Sequence, residues 1–163
     1  MSTIKIKDLS LENAAGETVL FKISSGNPKC NYRGPTTRHF WVVEGKPYQR
    51  LNPRNDYLRM LPDSTGFLLC ENVERQDNLV LLDTCGKERM RLSVPWKLTK
   101  TPTPESAHYP SRFIGITTPW DNPETGEQGK FGVLAWMQYS GDYCFELDYT
   151  TGQFLWGYFL ERG

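Results

Sequence analysis

The chain has 163 residues, with 19 Lys and Arg balanced by 19 Asp and Glu, so its formal charge is zero. That balance disfavours both a strongly basic nucleic-acid binder and a uniformly acidic mimic of nucleic acid. Hydrophobic residues at 38% and aromatics at 13% exclude intrinsic disorder and supply a core that needs neither disulfide nor metal.

No apolar run approaches the ~18 residues of a membrane span. Met1 to Asp8 contain no apolar h-region, so the expectation is a cytoplasmic chain with reduced thiols and no membrane association. The length fits one β-rich domain over 1–163, because domains of this class run to about 100–200 residues.

Period-2 patterning dominates from the start. Ile4–Leu11 reads as a strand, returned through Asn13-Ala14-Ala15-Gly16 into 18–24, where Val19, Phe21 and Ile23 share a face. Phe40–Val43 meets a turn at Glu44-Gly45-Lys46 and continues as Tyr48–Leu51. Residues 55–61 are the best short helix, ended by Pro62, and also read as a strand. Phe67–Glu71 and Asn78–Leu82 follow, and Asp83-Thr84-Cys85-Gly86 turns the latter into Arg89–Val94.

Residues 95–110 hold four prolines and form a connector that cannot join a ladder. Phe113–Thr117 is a short strand, and Trp120–Gly129 is a polar loop. Phe131–Met137 is apolar on both faces, which places it centrally in a sheet. In 143–149, Tyr143, Phe145, Leu147 and Tyr149 alternate with Cys144, Glu146 and Asp148, and the two carboxylates Glu146 and Asp148 read as a solvated face. Gly152 turns the chain into Phe154–Leu160. The sum is an all-β fold: antiparallel sheets forming a sandwich, barrel or partial propeller of about ten short strands, with little helix.

Three turns share one chemistry. Asn13-Ala14-Ala15-Gly16, Asp83-Thr84-Cys85-Gly86 and Asp148-Tyr149-Thr150-Thr151-Gly152 each pair a side chain that can bond its own backbone with a glycine. Their glycines lie 70 and 66 residues apart, too wide for a blade repeat of about 40–45 residues.

Reactive constellations are sparse. His39 abuts Phe40-Trp41 as a strand residue, and His108 lies in the connector. Nothing local holds a nucleophile beside a base. Cys30, Cys70, Cys85 and Cys144 contain no CxxC pair, so they read as small hydrophobes, with a Cys70–Cys85 bridge as the alternative. The expectation is therefore no catalytic residue, no metal and no cofactor.

Charge is uneven along the chain. Residues 29–60 carry seven basic and two acidic side chains, and residues 119–163 carry seven acidic and two basic ones. The two segments either form opposed surfaces that steer a partner, or neutralise one another across adjacent strands. In the acidic loop, Trp120, Asp121, Glu124 and Glu127 are the candidate partner-binding residues: the indole offers area to bury and the carboxylates offer steering.

The hairpins Asn78–Pro95 (NLVLLDTCGKERMRLSVP) and Tyr143–Leu160 (YCFELDYTTGQFLWGYFL) resemble those of the small all-β immunity proteins of bacterial toxin–immunity pairs. The resemblance implies a bacterial protein whose partner is a cognate toxin, bound so that the toxin's active site is covered without chemistry. The net charge of zero departs from the acidic immunity proteins that neutralise basic nucleases. Two alternatives remain at this stage: a lipocalin-like barrel binding a small apolar molecule, although the lipocalin Gly-x-Trp signature is absent, and an enzyme with dispersed carboxylates.

Overall fold

The structure, a computed structural model, describes residues 4–20 and 35–160. Cys30 and the expected strand residues 21–24 lie outside them. The described residues are all-β, in three open four-stranded antiparallel sheets. The first sheet has the order β2-β1-β3-β4, from β1 (Ile6–Asn13), β2 (Thr18–Leu20), β3 (Thr36–Val43) and β4 (Lys46–Leu51). The second is the meander β5 (Tyr57–Met60), β6 (Phe67–Cys70), β7 (Leu79–Leu82) and β8 (Glu88–Leu92). The third is the meander β9 (Ser111–Thr117), β10 (Gly132–Met137), β11 (Gly141–Asp148) and β12 (Gln153–Leu160). None of them closes into the barrel considered from sequence.

Residues 57–60 are a strand, which resolves the helix-or-strand ambiguity. Leu58 and Met60 bury while Tyr57 stays exposed, a period of two that a helix could not satisfy. The proline-rich stretch holds two 3₁₀ turns, Trp96–Leu98 and Pro104–His108, and no strand. β10 runs between β9 and β11, as its two apolar faces predict.

The turns follow the predicted chemistry. Glu44 and Gly45 both take positive φ, 50° and 76°, the mirror-image turn whose twist matches a two-residue hairpin. Asn13 Oδ1 accepts from the amides of Ala15 and Glu17 at 3.1 and 2.9 Å. Asp83 Oδ1 accepts from Cys85 and Lys87 at 2.9 and 3.0 Å. Asp148 Oδ1 accepts from the Thr150 amide at 3.0 Å and from its hydroxyl at 2.6 Å, and these bonds hold its carboxyl below the usual range.

The chain separates into two compact units. One comprises 1–71 and 81–89, the other 72–80 and 90–163, so β7 and β8 each contribute residues to both. In the first, Trp41, Leu61, Phe67, Leu68, Leu81 and Leu82 are buried, and Trp41 stacks on Tyr48. In the second, Phe113, Val133, Met137, Phe145 and Leu147 are buried. Cys70 is buried, Cys85 exposed, and neither is in a disulfide.

Candidate partner-binding surface

One face of the β9–β12 sheet is packed throughout, and the other is covered only in part: Cys144 and Glu146 on it are buried, whereas Trp136 is exposed. Residues paired across neighbouring strands share a face, so the register defines the outward rows. Arg112, Trp136, Asp142 and Leu160 form the first, one residue from each strand. Leu134, Cys144 and Tyr158 form the second, and Thr117, Gly132, Glu146 and Trp156 the third. A register shift between Leu134 and Ala135 leaves Ile114 without an opposite number on β10; such a bulge re-aims a side chain, and Ile114 is 40% exposed. Trp136, the fifth of the six residues of β10, is 38% exposed.

The predicted loop covers the third row. Trp120 stacks on Tyr158 with ring centroids 4.7 Å apart and planes 22° from parallel. Its carbonyl accepts from Trp156 Nε1 at 3.2 Å, and its backbone bonds the Cys144 thiol, which burial pushes up to about 11. Trp120 is nonetheless 42% exposed, so it is both anchored and available. Asp121 Oδ1 accepts from the Gly129 amide at 3.2 Å, which fixes the neck of the loop. Gly129 passes so near that an added Cβ would lie 2.4 Å from the Trp120 carbonyl. At the tip, Asn122 Oδ1 accepts from Glu124 and Thr125, and Gly126 takes φ 76°, a fourth copy of the turn chemistry. Glu124 and Glu127 are exposed there.

Glu146 corrects the sequence reading. It was assigned to a solvated face, yet it is 4% exposed, because the loop folds over it. Its carboxylate accepts from the amides of Lys130 at 2.8 Å and Phe131 at 3.1 Å, holding the end of the loop. The structure thus brings Trp120 and Asp121 into a pinned arrangement and leaves Glu124 and Glu127 on the tip. Sequence reasoning missed Ile114 and Trp136; their adjacency depends on register, and the signal available was an aromatic at an outward position of a strand otherwise buried.

A polar cluster in the first unit is also new. Arg54 bridges Asp56 at 2.9 Å and Glu71 at 3.3 Å, and Arg50 lies 3.5 Å from Asp56. Asn52 ties this corner to the Thr36 and Asp56 carbonyls. Burial, helped by Arg50, lowers His39 to about 4. The basic 29–60 segment is therefore neutralised in part inside its own unit, Arg38 pairing across the ladder with Glu12 at 3.7 Å. Among the described residues there is no group of three His, Cys, Asp or Glu placed to hold a metal ion, and no helix is long and apolar enough to cross a membrane.

No family model and no curated protein matches the chain. Its fold is similar to that of a chain in the structure of Tne2 in complex with Tni2, with a TM-score of 0.64. The match covers 96% of this chain and 99% of that chain, at 12% identity. This is a likeness of fold.

Proposed function

We propose that this protein is an immunity protein, acting in the cytoplasm, that neutralises a cognate bacterial toxin by covering its active site. The observation that carries the reading is the outward face of the β9–β12 sheet, where Ile114, Trp120 and Trp136 stand 38–42% exposed on a scaffold already held in place. Exposed aromatics on rigid elements lose little conformational entropy on binding, so their buried area converts efficiently into affinity. Trp120 has its ring orientation set by Tyr158 and its carbonyl by Trp156, so it needs no rearrangement to dock. The turn-tip carboxylates Glu124 and Glu127 supply long-range steering toward a basic patch. Two further supports are the resemblance of the hairpins to immunity proteins and a fold shared with a member of a two-protein complex.

The test is capture of a toxin-like protein by the wild-type chain, followed by measurement of affinity for it. Trp120→Ala is expected to weaken binding by about 10–100-fold, the range for truncating a buried aromatic anchor. Adding Asp121→Ala weakens it further, because the loop neck loses its clasp. Unchanged affinity in the double variant removes the loop from the interface; no capture by the wild-type protein removes the immunity reading.

A further inference from the structure

The outermost strand of an open sheet presents unpaired backbone groups, and natural edges are blunted by charge, proline or shortness. Five of the six edge strands of the described sheets follow that rule. β2 has three residues, β4 carries Lys46 and Pro47, and β5, β8 and β9 carry Arg59, Arg89 and Arg112. β12 is the exception: none of its eight residues, QFLWGYFL, is charged or proline. Past the register shift near its start, Trp156 to Leu160 run as a regular ladder against β11. We propose that this edge pairs with the same strand of a second copy of the chain, antiparallel about a two-fold axis at Tyr158, joining two four-stranded sheets into one.

Register and sequence select that occupant. The Leu147 amide donates to the Phe131 carbonyl at 2.9 Å, so Leu147 bonds on the β10 side of its strand. Alternate residues of a central antiparallel strand bond alternate neighbours. Cys144 and Glu146 therefore bond toward β12, where they hold Tyr158 and Trp156. Gly157 and Phe159 are left with N–H and C=O directed away from β11, and no hydrogen bond takes them up among the described residues. A two-fold at Tyr158 sets Gly157 of each copy against Phe159 of the other, a hydrogen-bonded pair on each side of the axis. Neither side chain obstructs that approach. The Phe159 ring leans back over β11, edge-on to Tyr143 with centroids 5.3 Å apart and close to Gly141. What crowds Gly157, the Leu98 carbonyl and the Phe145 ring, lies where a Cβ would point, on the packed face. On the other face Tyr158 meets Tyr158 and Trp156 meets Leu160, aromatic and apolar pairs of the kind that stabilise adjacent strands. A foreign strand finds no charge on β12 by which to be selected, whereas a second copy supplies this match by symmetry. Because Trp120 stacks on Tyr158, the dimer displays both Trp120 loops on one continuous face.

The test is sedimentation velocity of the full chain across concentrations, with amide hydrogen exchange read at about 5 μM and about 500 μM. The expected dimer has a Kd on the order of 10–100 μM, since one strand pair buries less than the roughly 1,200 Å² of a standard interface. At the higher concentration the Gly157 and Phe159 amides should exchange about 3–10-fold more slowly, while those of the guarded edge β4 keep their rates. Tyr158→Lys and Tyr158→Glu each set like charges across the axis and should be monomeric. Mixed in equal amounts they should dimerise again, which variants that had merely lost their fold could not do. A wild-type chain that stays monomeric up to roughly 500 μM overturns the proposal, as does a dimer whose Gly157 and Phe159 amides exchange at the monomer's rate. Protection of those amides only in complex with a captured toxin-like protein overturns it too, because the edge then serves the partner's strand. Self-pairing neither requires nor precludes toxin capture, which the Trp120 variant measures, so the two readings fail independently.

Discussion

At the scale of single residues, the most consequential side chain is His39. It sits in β3 between Leu11 of β1 and Arg50 of β4, 2% exposed, with no hydrogen-bond partner for Nδ1 among the described residues. Desolvation first, and then the Arg50 guanidinium, lowers it from 6.5 to about 4, against an opposing pull from Asp56. Between those two values the unfolded chain takes up a proton that the fold refuses. Stability therefore rises with pH across this window, is complete above 6.5 and is lost progressively on acidification toward about 4. The full difference corresponds to about 3 kcal/mol. Urea midpoints measured between those pH values should climb less steeply for His39→Gln than for the wild type. Parallel profiles would mean that this imidazole does not titrate as a buried neutral group.

Among the elements, the hairpins were the legible part of the sequence and the outward face was not. A turn is written in four or five adjacent residues: Asn13, Asp83 and Asp148 announce theirs by side chains that bond local amides. A face is written across strands far apart in the chain. Nothing near Trp136 says that Arg112 and Asp142 will be its cross-strand neighbours. Glu146 shows the same limit: alternation assigned it to water because the rule assumes nothing covers the second face, and a loop beginning 26 residues earlier does. The role of Glu146 leads to a specific expectation. Glu146→Ala leaves the amides of Lys130 and Phe131 without their acceptor, at a cost of about 1–3 kcal/mol, and frees one end of the loop. Hydrogen exchange at these two amides should accelerate well beyond that in β10, which follows them. Protection equal to the wild type would show that the carboxylate is not what holds them. Because Trp120 opens that loop, the same variant should bind the partner more weakly without any change to an exposed residue.

For the whole molecule, the uneven charge seen in the sequence persists as a property of the two units, twelve basic against nine acidic residues in the first and the reverse sign in the second. Whether the units behave as one domain, as the length leads one to expect, turns on the strands they share. The division cuts β7 between Val80 and Leu81 and cuts β8 between Arg89 and Met90. Leu79, Val80, Leu81 and Leu82 are each no more than 3% exposed, so both halves of β7 are core. Unfolding either unit alone would break a continuous, fully buried strand at its centre and expose that unit's own half of it, a cost of about 1.5–3 kcal/mol for each large apolar side chain exposed. We propose on this ground that the units unfold together. Differential scanning calorimetry should give one transition whose calorimetric enthalpy, on the order of 110 kcal/mol near 60 °C for a chain of this size, equals the van't Hoff value. A van't Hoff enthalpy near half the calorimetric one, or two resolved peaks, would mean that β7 parts at its centre and that the chain is two domains.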